Sequence, residues 1–113
     1  MRKYIYIFIL TFIFSSCGST TGLYSWEKYE AASYNYLKKA DEKSIDNLMK
    51  QYKKVINKQK GVLKITPPGL YADYGFFLIQ RGELKKGKAN LNKEIALYPE
   101  SKIFIARILK LIE

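Results

Sequence analysis

Cys17 carries the only thiol in the chain, and histidine is absent. Without histidine the sequence lacks the commonest general base and the commonest metal ligand. A single cysteine permits neither an intramolecular disulfide nor a cysteine-built zinc site. Glu27 and Glu30 stand three apart, the spacing of paired acid–base carboxylates on one helix, but they read as solvated surface charge. No Ser-x-x-Lys arrangement comes with a supporting partner. The stretch Gly82-Glu83-Leu84-Lys85-Lys86-Gly87-Lys88-Ala89 has the Gly-x₄-Gly-Lys skeleton of a phosphate-binding loop. It ends in Ala89 where Ser or Thr would hold magnesium, and no strand precedes it, so it reads as a turn between helices. The sequence therefore predicts no catalytic residue, no enzyme activity, no cofactor, no metal and no small-molecule substrate.

The chemistry that does have a context is acylation of Cys17. Arg2 and Lys3 form a positive leader, and Tyr4 to Phe14 is an apolar run of eleven residues. A helix needs about 20 residues to span a bilayer, so this run suits a secretory signal rather than a membrane anchor. Phe14-Ser15-Ser16-Cys17-Gly18 resembles the lipobox of bacterial lipoproteins, with Phe14 in place of the usual Leu. The resemblance implies cleavage between Ser16 and Cys17 and attachment of fatty acyl chains such as palmitate to Cys17. One chain holds a protein only marginally, whereas two or three make a stable anchor. Gly18-Ser19-Thr20-Thr21-Gly22 is small and uncharged and reads as a flexible tether. Gly18 rather than Asp after the Cys favours the outer membrane by analogy with enteric bacteria, and no acidic surface-export cluster follows. The expected organisation is a signal peptide over 1–16, a lipidated Cys and tether over 17–22, and one helical domain over 23–113 facing the periplasm.

Twenty Lys and Arg against ten Asp and Glu give the 113-residue chain a net charge of +10. Nucleic acid is the reflex partner for such charge, but an exported protein rarely meets it and no recognition motif is present. Lys53, Lys54 and Lys58 on one helix are the candidate anion-binding residues, for anionic lipid or lipopolysaccharide; a plain solubilising surface explains them too. The chain is rich in aromatics, with ten Tyr, six Phe and one Trp, and Tyr24, Trp26, Tyr34 and Tyr36 are the candidate partner surface, because Tyr and Trp are enriched at binding hot spots. Core packing competes as an explanation, for Trp26 above all. Tyr34 and Tyr36 cannot face the same side of a helix, so at least one points outward.

Apolar spacing defines the elements that must carry these residues. A first helix is expected over 24–37 with Ser25 as its cap. The clearest is 43–60, where Ile45, Leu48, Met49, Tyr52, Val55 and Ile56 make one stripe and Gly61 is a candidate C-cap. Pro67 and Pro68 keep the connector extended and place Pro68 in the first turn of a helix over 70–80. Gly75 inside that helix suggests close approach of a neighbour. Helices over 83–98 and 101–112 follow, separated by Pro99. The expected fold is all-α: a short stack of about five helices in antiparallel hairpins.

Two resemblances add to this. Tyr71, Tyr74-Gly75, Leu78, Gly82, Gly87, Leu91 and Pro99 fall at the spacings of a tetratricopeptide repeat, and residues 71–99 resemble one. Glu94 departs from that pattern, standing where the motif wants a small residue. Leu23-Tyr24-Ser25-Trp26-Glu27-Lys28-Tyr29-Glu30, Pro67-Pro68-Gly69-Leu70-Tyr71-Ala72-Asp73-Tyr74-Gly75 and Leu97-Tyr98-Pro99-Glu100-Ser101, in this order after a lipobox, resemble a family of small bacterial lipoproteins known as a domain of unknown function. In that family the first block usually reads Tyr-x-Trp-Gly-x-Tyr; Glu27 replaces the Gly and with it the backbone freedom a glycine brings. The resemblance implies an envelope lipoprotein, often encoded beside a lipoprotein similar to the curli secretion channel, and transfers no catalytic residue. The expected role is a non-catalytic scaffold or accessory subunit of an envelope assembly. The alternative is an envelope lipoprotein that binds anionic lipid or lipopolysaccharide.

Overall fold

Asp41 starts the longest helix. Its Oδ1 accepts from the Ser44 amide at 2.8 Å, and Ser44 Oγ donates back to the Asp41 carbonyl at 2.8 Å, so the first turn of the helix is satisfied from both sides. The computed structural model describes residues 2–4 and 22–113; the signal segment, Ser16 and Cys17 lie outside the described residues. Five α-helices run through the domain: α1 Tyr29–Lys39, α2 Glu42–Asn57, α3 Leu70–Gln80, α4 Leu84–Leu97 and α5 Lys102–Leu111, with a 3₁₀ turn Pro99–Ser101 before the last. No strand occurs among the described residues. The fold is all-α. α1 pairs with α2 and α3 with α4, α2 packs on α3 to join the two hairpins, and α5 leans on α4.

Two apolar centres hold the stack. Ala32, Leu48, Tyr52, Val55 and Leu70 are buried together, with Tyr29, Tyr36, Met49, Ile56, Tyr74 and Phe77 packed around them. Leu78, Leu91 and Ile105 are buried in the second half of the chain, on α3, α4 and α5. The face α2 buries is Ser44, Leu48, Gln51, Tyr52 and Val55. It is rotated from the purely apolar stripe because two polar members are satisfied locally: Ser44 by Asp41, and Gln51 by accepting from the Lys28 amide at 3.3 Å. α3 and α4 meet at glycines. A Cβ on Gly75 would come within 2.8 Å of the Gly87 carbonyl oxygen, and one on Gly87 within 2.7 Å of that of Gly75. Both contacts are tighter than side-chain carbon tolerates, so the close approach requires glycine on each side.

Several helix ends differ from the sequence expectation. α1 begins at Tyr29 and not at 24, because Glu27 takes φ 49° and turns the chain before the helix can start. Ser25 is therefore not its cap; the Lys28–Gln51 bond satisfies an amide at that end instead. α2 closes at Lys58, whose amide donates to the Lys54 carbonyl at 2.9 Å. Gly61 is thus no C-cap; a Cβ there would collide with the Leu23 and Tyr24 backbone. Pro68 sits ahead of α3 rather than in its first turn. Pro67-Pro68-Gly69-Leu70 is a type II turn, with Gly69 at φ 85°, ψ −16° and the Leu70 amide donating to the Pro67 carbonyl at 3.3 Å. Proline at the second position and glycine at the third are what that turn selects.

Candidate anchoring and docking surface

The segment that leaves the tether is stapled to the end of α2. Val62 N–H donates to the Gly22 carbonyl at 3.1 Å and Leu63 N–H to the Leu23 carbonyl at 3.2 Å. Gln59, just past α2, does most of the fastening. Its Oε1 accepts from the amides of Ser25 and, at 2.9 Å, Gly61. Its Nε2 donates to the carbonyls of Ser25 at 3.1 Å and Val55 at 3.3 Å. One side-chain amide thus uses both its donor and its acceptor ends to hold two chain segments. Nothing in the sequence marked Gln59, which looks like one more polar residue in a lysine-rich run.

From this staple a row of rings enters the molecule. Ring centroids lie 6.4 Å apart for Tyr24–Trp26, 5.7 Å for Trp26–Tyr29 and 5.4 Å for Tyr29–Tyr52. Tyr52 then meets Tyr74 at 5.6 Å and Phe77 at 5.8 Å, and Phe77 meets Tyr36 edge-on at 5.2 Å. These spacings are those of stabilising tilted and edge-to-face pairs. Burial, and then the neighbouring Tyr29, push the Tyr52 hydroxyl well above the ordinary phenol range, so this ring stays neutral within the core. Trp26 is 41% exposed. It stands on a loop rather than in the core, over an open cavity of about 330 Å³ lined with Tyr29 and Glu30.

The four aromatic candidates do not form one surface. Tyr24 and Trp26 are neighbours at the staple. Tyr36 is half-buried against Phe77, and Tyr34 is 64% exposed on α1, which matches the expectation that one of the two points outward. Glu27 and Glu30 do not share a helix: Glu27 precedes α1 and faces Lys60 at 3.8 Å, while Glu30 lies in its first turn. Lys53 and Lys58 are exposed and Lys54 is half-buried on α2. Lys54 and Lys58 follow one another at four-residue spacing, but Lys58 is the residue that closes α2, so only Lys53 and Lys54 lie within the helix. A different cluster forms at the α3–α4 loop. There a hydrogen bond from Lys86, with smaller help from Lys53 and Arg81, holds the Glu83 carboxyl below its usual range.

A second fastening, at the residue that departs from the repeat-like spacing, secures the Pro67–Gly69 turn. Glu94 on α4 is 1% exposed. Its Oε1 accepts from the Gly69 amide at 2.6 Å, while its Oε2 is buried without a partner. The carboxylate thereby meets the positive end of α3. One turn later the Tyr98 hydroxyl donates to the Thr66 carbonyl at 2.6 Å. Burial first, and then the adjacent Tyr24 hydroxyl, push the Tyr98 hydroxyl well up. No group of three or more metal-ligating side chains occurs among the described residues.

No curated protein and no solved structure matches the chain. Apart from Gly22, the staple, the ring series and the Glu94 fastening lie inside residues 23–108, the stretch that matches the family described as Domain of unknown function (DUF4810), and the chain belongs to that family.

Proposed function

We propose that the protein is a non-catalytic accessory subunit of a cell-envelope assembly, held to the outer membrane by lipid on Cys17 and facing the periplasm. The observation that carries this reading is Trp26. A large ring kept 41% exposed on a loop fastened by Gln59, beside a cavity of about 330 Å³, has the make-up of a preorganised binding hot spot. The partner is proposed to be another envelope lipoprotein, on the neighbourhood that the family resemblance implies, including one similar to the curli secretion channel. The α1–α2 pair, through Tyr29 and Tyr52, serves in this reading as the body on which the Trp26 surface is carried, and the α3–α4 hairpin, with its tetratricopeptide-like glycine spacing, packs behind it.

The test is recovery of the lipidated protein from its own membranes in mild detergent, with washes at about 0.15 M and about 0.5 M salt, where screening lengths are roughly 8 and 4 Å. One protein retained through both washes, and lost with Trp26→Ala, is the expected result. A partner retained equally by the Trp26→Ala variant removes the basis of the reading. Cys17→Ser should leave the domain folded and release it from the membrane fraction. A second reading, binding of anionic lipid or lipopolysaccharide through Lys53, Lys54 and Lys58, draws on one feature: none of the three is in an ion pair among the described residues. It predicts recovery of lipid that falls steeply between the two washes.

A further inference from the structure

Beside the Gln59 staple the domain exposes a knob of large aliphatic side chains. Leu23, Val62, Leu63 and Ile65 are 61%, 59%, 46% and 39% exposed. The two backbone bonds between 22–23 and 62–63 bring Leu23 against the 62–65 loop. The loop is fixed in shape: the Lys64 amide closes a turn onto the Gly61 carbonyl at 3.1 Å, Lys64 holds φ 53°, and Gly61 lies packed beneath the Leu23–Tyr24 backbone. Lys58 and Lys60 lead into the loop, Lys64 lies within it, and all three are exposed. The acid drawn to them is Glu27, 3.8 Å from Lys60. Exposed aliphatic side chains interleaved in the chain with exposed ammonium groups match an anionic bilayer interface, where the former enter the acyl boundary and the latter meet phosphate.

The chain itself indicates what covers this knob. Six Cα steps separate Cys17 from Leu23, which limits their separation to roughly 20 Å whatever the path between them. An acylated Cys17 therefore holds the knob at the headgroup layer, at an effective concentration that makes even weak insertion persistent. A second copy of the chain fits poorly, since it would set three ammonium groups against three.

We propose that Leu23 and the Val62–Ile65 loop dip into the bilayer interface next to the anchor and set the orientation of the domain on the membrane. This rests on the reading that Cys17 is lipidated. The acylated sulfur is not free to react, so a cysteine introduced at residue 63 provides a unique labelling site. The full mature protein carrying Leu63→Cys, and separately Val62→Cys, is labelled with a polarity-sensitive fluorophore. It is then reconstituted in vesicles of phosphatidylethanolamine and phosphatidylglycerol. Asn47→Cys, exposed near the opposite end of α2, is the reference.

The expected result is several-fold stronger quenching of the 62 and 63 probes than of the 47 probe by nitroxide-labelled lipid, with protection from aqueous iodide. Equal quenching at all three positions overturns the proposal. So does protection from iodide without lipid quenching in these vesicles, which would assign the knob to a contact between copies of the protein. The mass of the N-terminal peptide reports separately whether Cys17 carries lipid. If it does not, the anchoring reading fails, and the same quenching comparison at high vesicle concentration still upholds or overturns the knob.

Discussion

Glu27 is a non-glycine residue whose backbone is left-handed, at φ 49°. The conformation is kept because Gln59 and Gln51 hold the residues on either side, Ser25 and Lys28. A non-glycine residue pays roughly 1–2 kcal/mol there, and the exposed contact with Lys60 returns little of it. Glu27→Gly is therefore expected to stabilise the fold by about 1 kcal/mol, raising Tm by about 4–8 °C in a domain of this size; thermal melts of the two proteins decide it. Glu94 is the opposite case. Glu94→Ala strands the Gly69 amide and empties a buried site, and should destabilise by about 2–3 kcal/mol in denaturant titration. Glu94→Gln keeps an acceptor for that amide and should cost less than half as much. The residue that breaks the repeat-like spacing is thus the one that fastens the loop ahead of α3. Sequence reasoning found the departure but not its purpose, because the Gly69 amide lies 25 residues away in the chain.

At the level of elements, the regular parts are readable, and the ends are not where long-range bonds set them, at the start of α1 and the close of α2. α3 spans 70–80 as the apolar spacing predicts, and the Gly75–Gly87 approach follows from two glycines placed where helices need them. Gly87→Ala should destabilise by about 1–3 kcal/mol, through a clash with Ile79 and the Gly75 carbonyl that rotation of a side chain alone cannot relieve. The start of α1 was misplaced because residues 24–28 have helix-compatible spacing while their hydrogen bonds run to Gln59 and Gln51, contacts without any local signal. α2 begins at an aspartate cap, and this gives it a pH signature. Bonds from Ser44 hold the Asp41 carboxyl below its ordinary value of 3.8. A carboxyl with a lowered folded pKa stabilises the fold above its unfolded value, and that contribution disappears as pH falls through the folded value. Asp41→Asn should flatten the acid limb of stability below about pH 4 while changing the neutral melt far less; melts across that range test it.

For the molecule as a whole, the ring series spans the boundary between the two hairpins, from Tyr24 at the staple to Tyr36 and Phe77. The exposed aromatic edge and the core are therefore one packed unit, and Trp26 is supported from behind by Tyr29 and Tyr52. Composition had already pointed to aromatic residues as the binding resource. It could not separate Trp26, held out by its loop, from Tyr36, drawn in by Phe77, because that distinction arises only when α1 meets α3 across α2. The aliphatic knob was equally hidden: Val62 to Ile65 reads only as a connector, and the bonds that bring Leu23 beside it join residues about 40 apart in the chain.

The staple also decides how the domain bears load. Tension applied from the N-terminal side enters the described chain at Gly22 and reaches the Gly22–Val62 and Leu23–Leu63 bonds and then Gln59 before it can act on α1. Gln59 grips Ser25 through both backbone groups, so the first element to yield should be this short latch, with the aromatic core sheltered behind it. In an optical trap pulling from residue 22, Gln59→Ala should lower the force of the earliest rupture and leave the main unfolding event where it was.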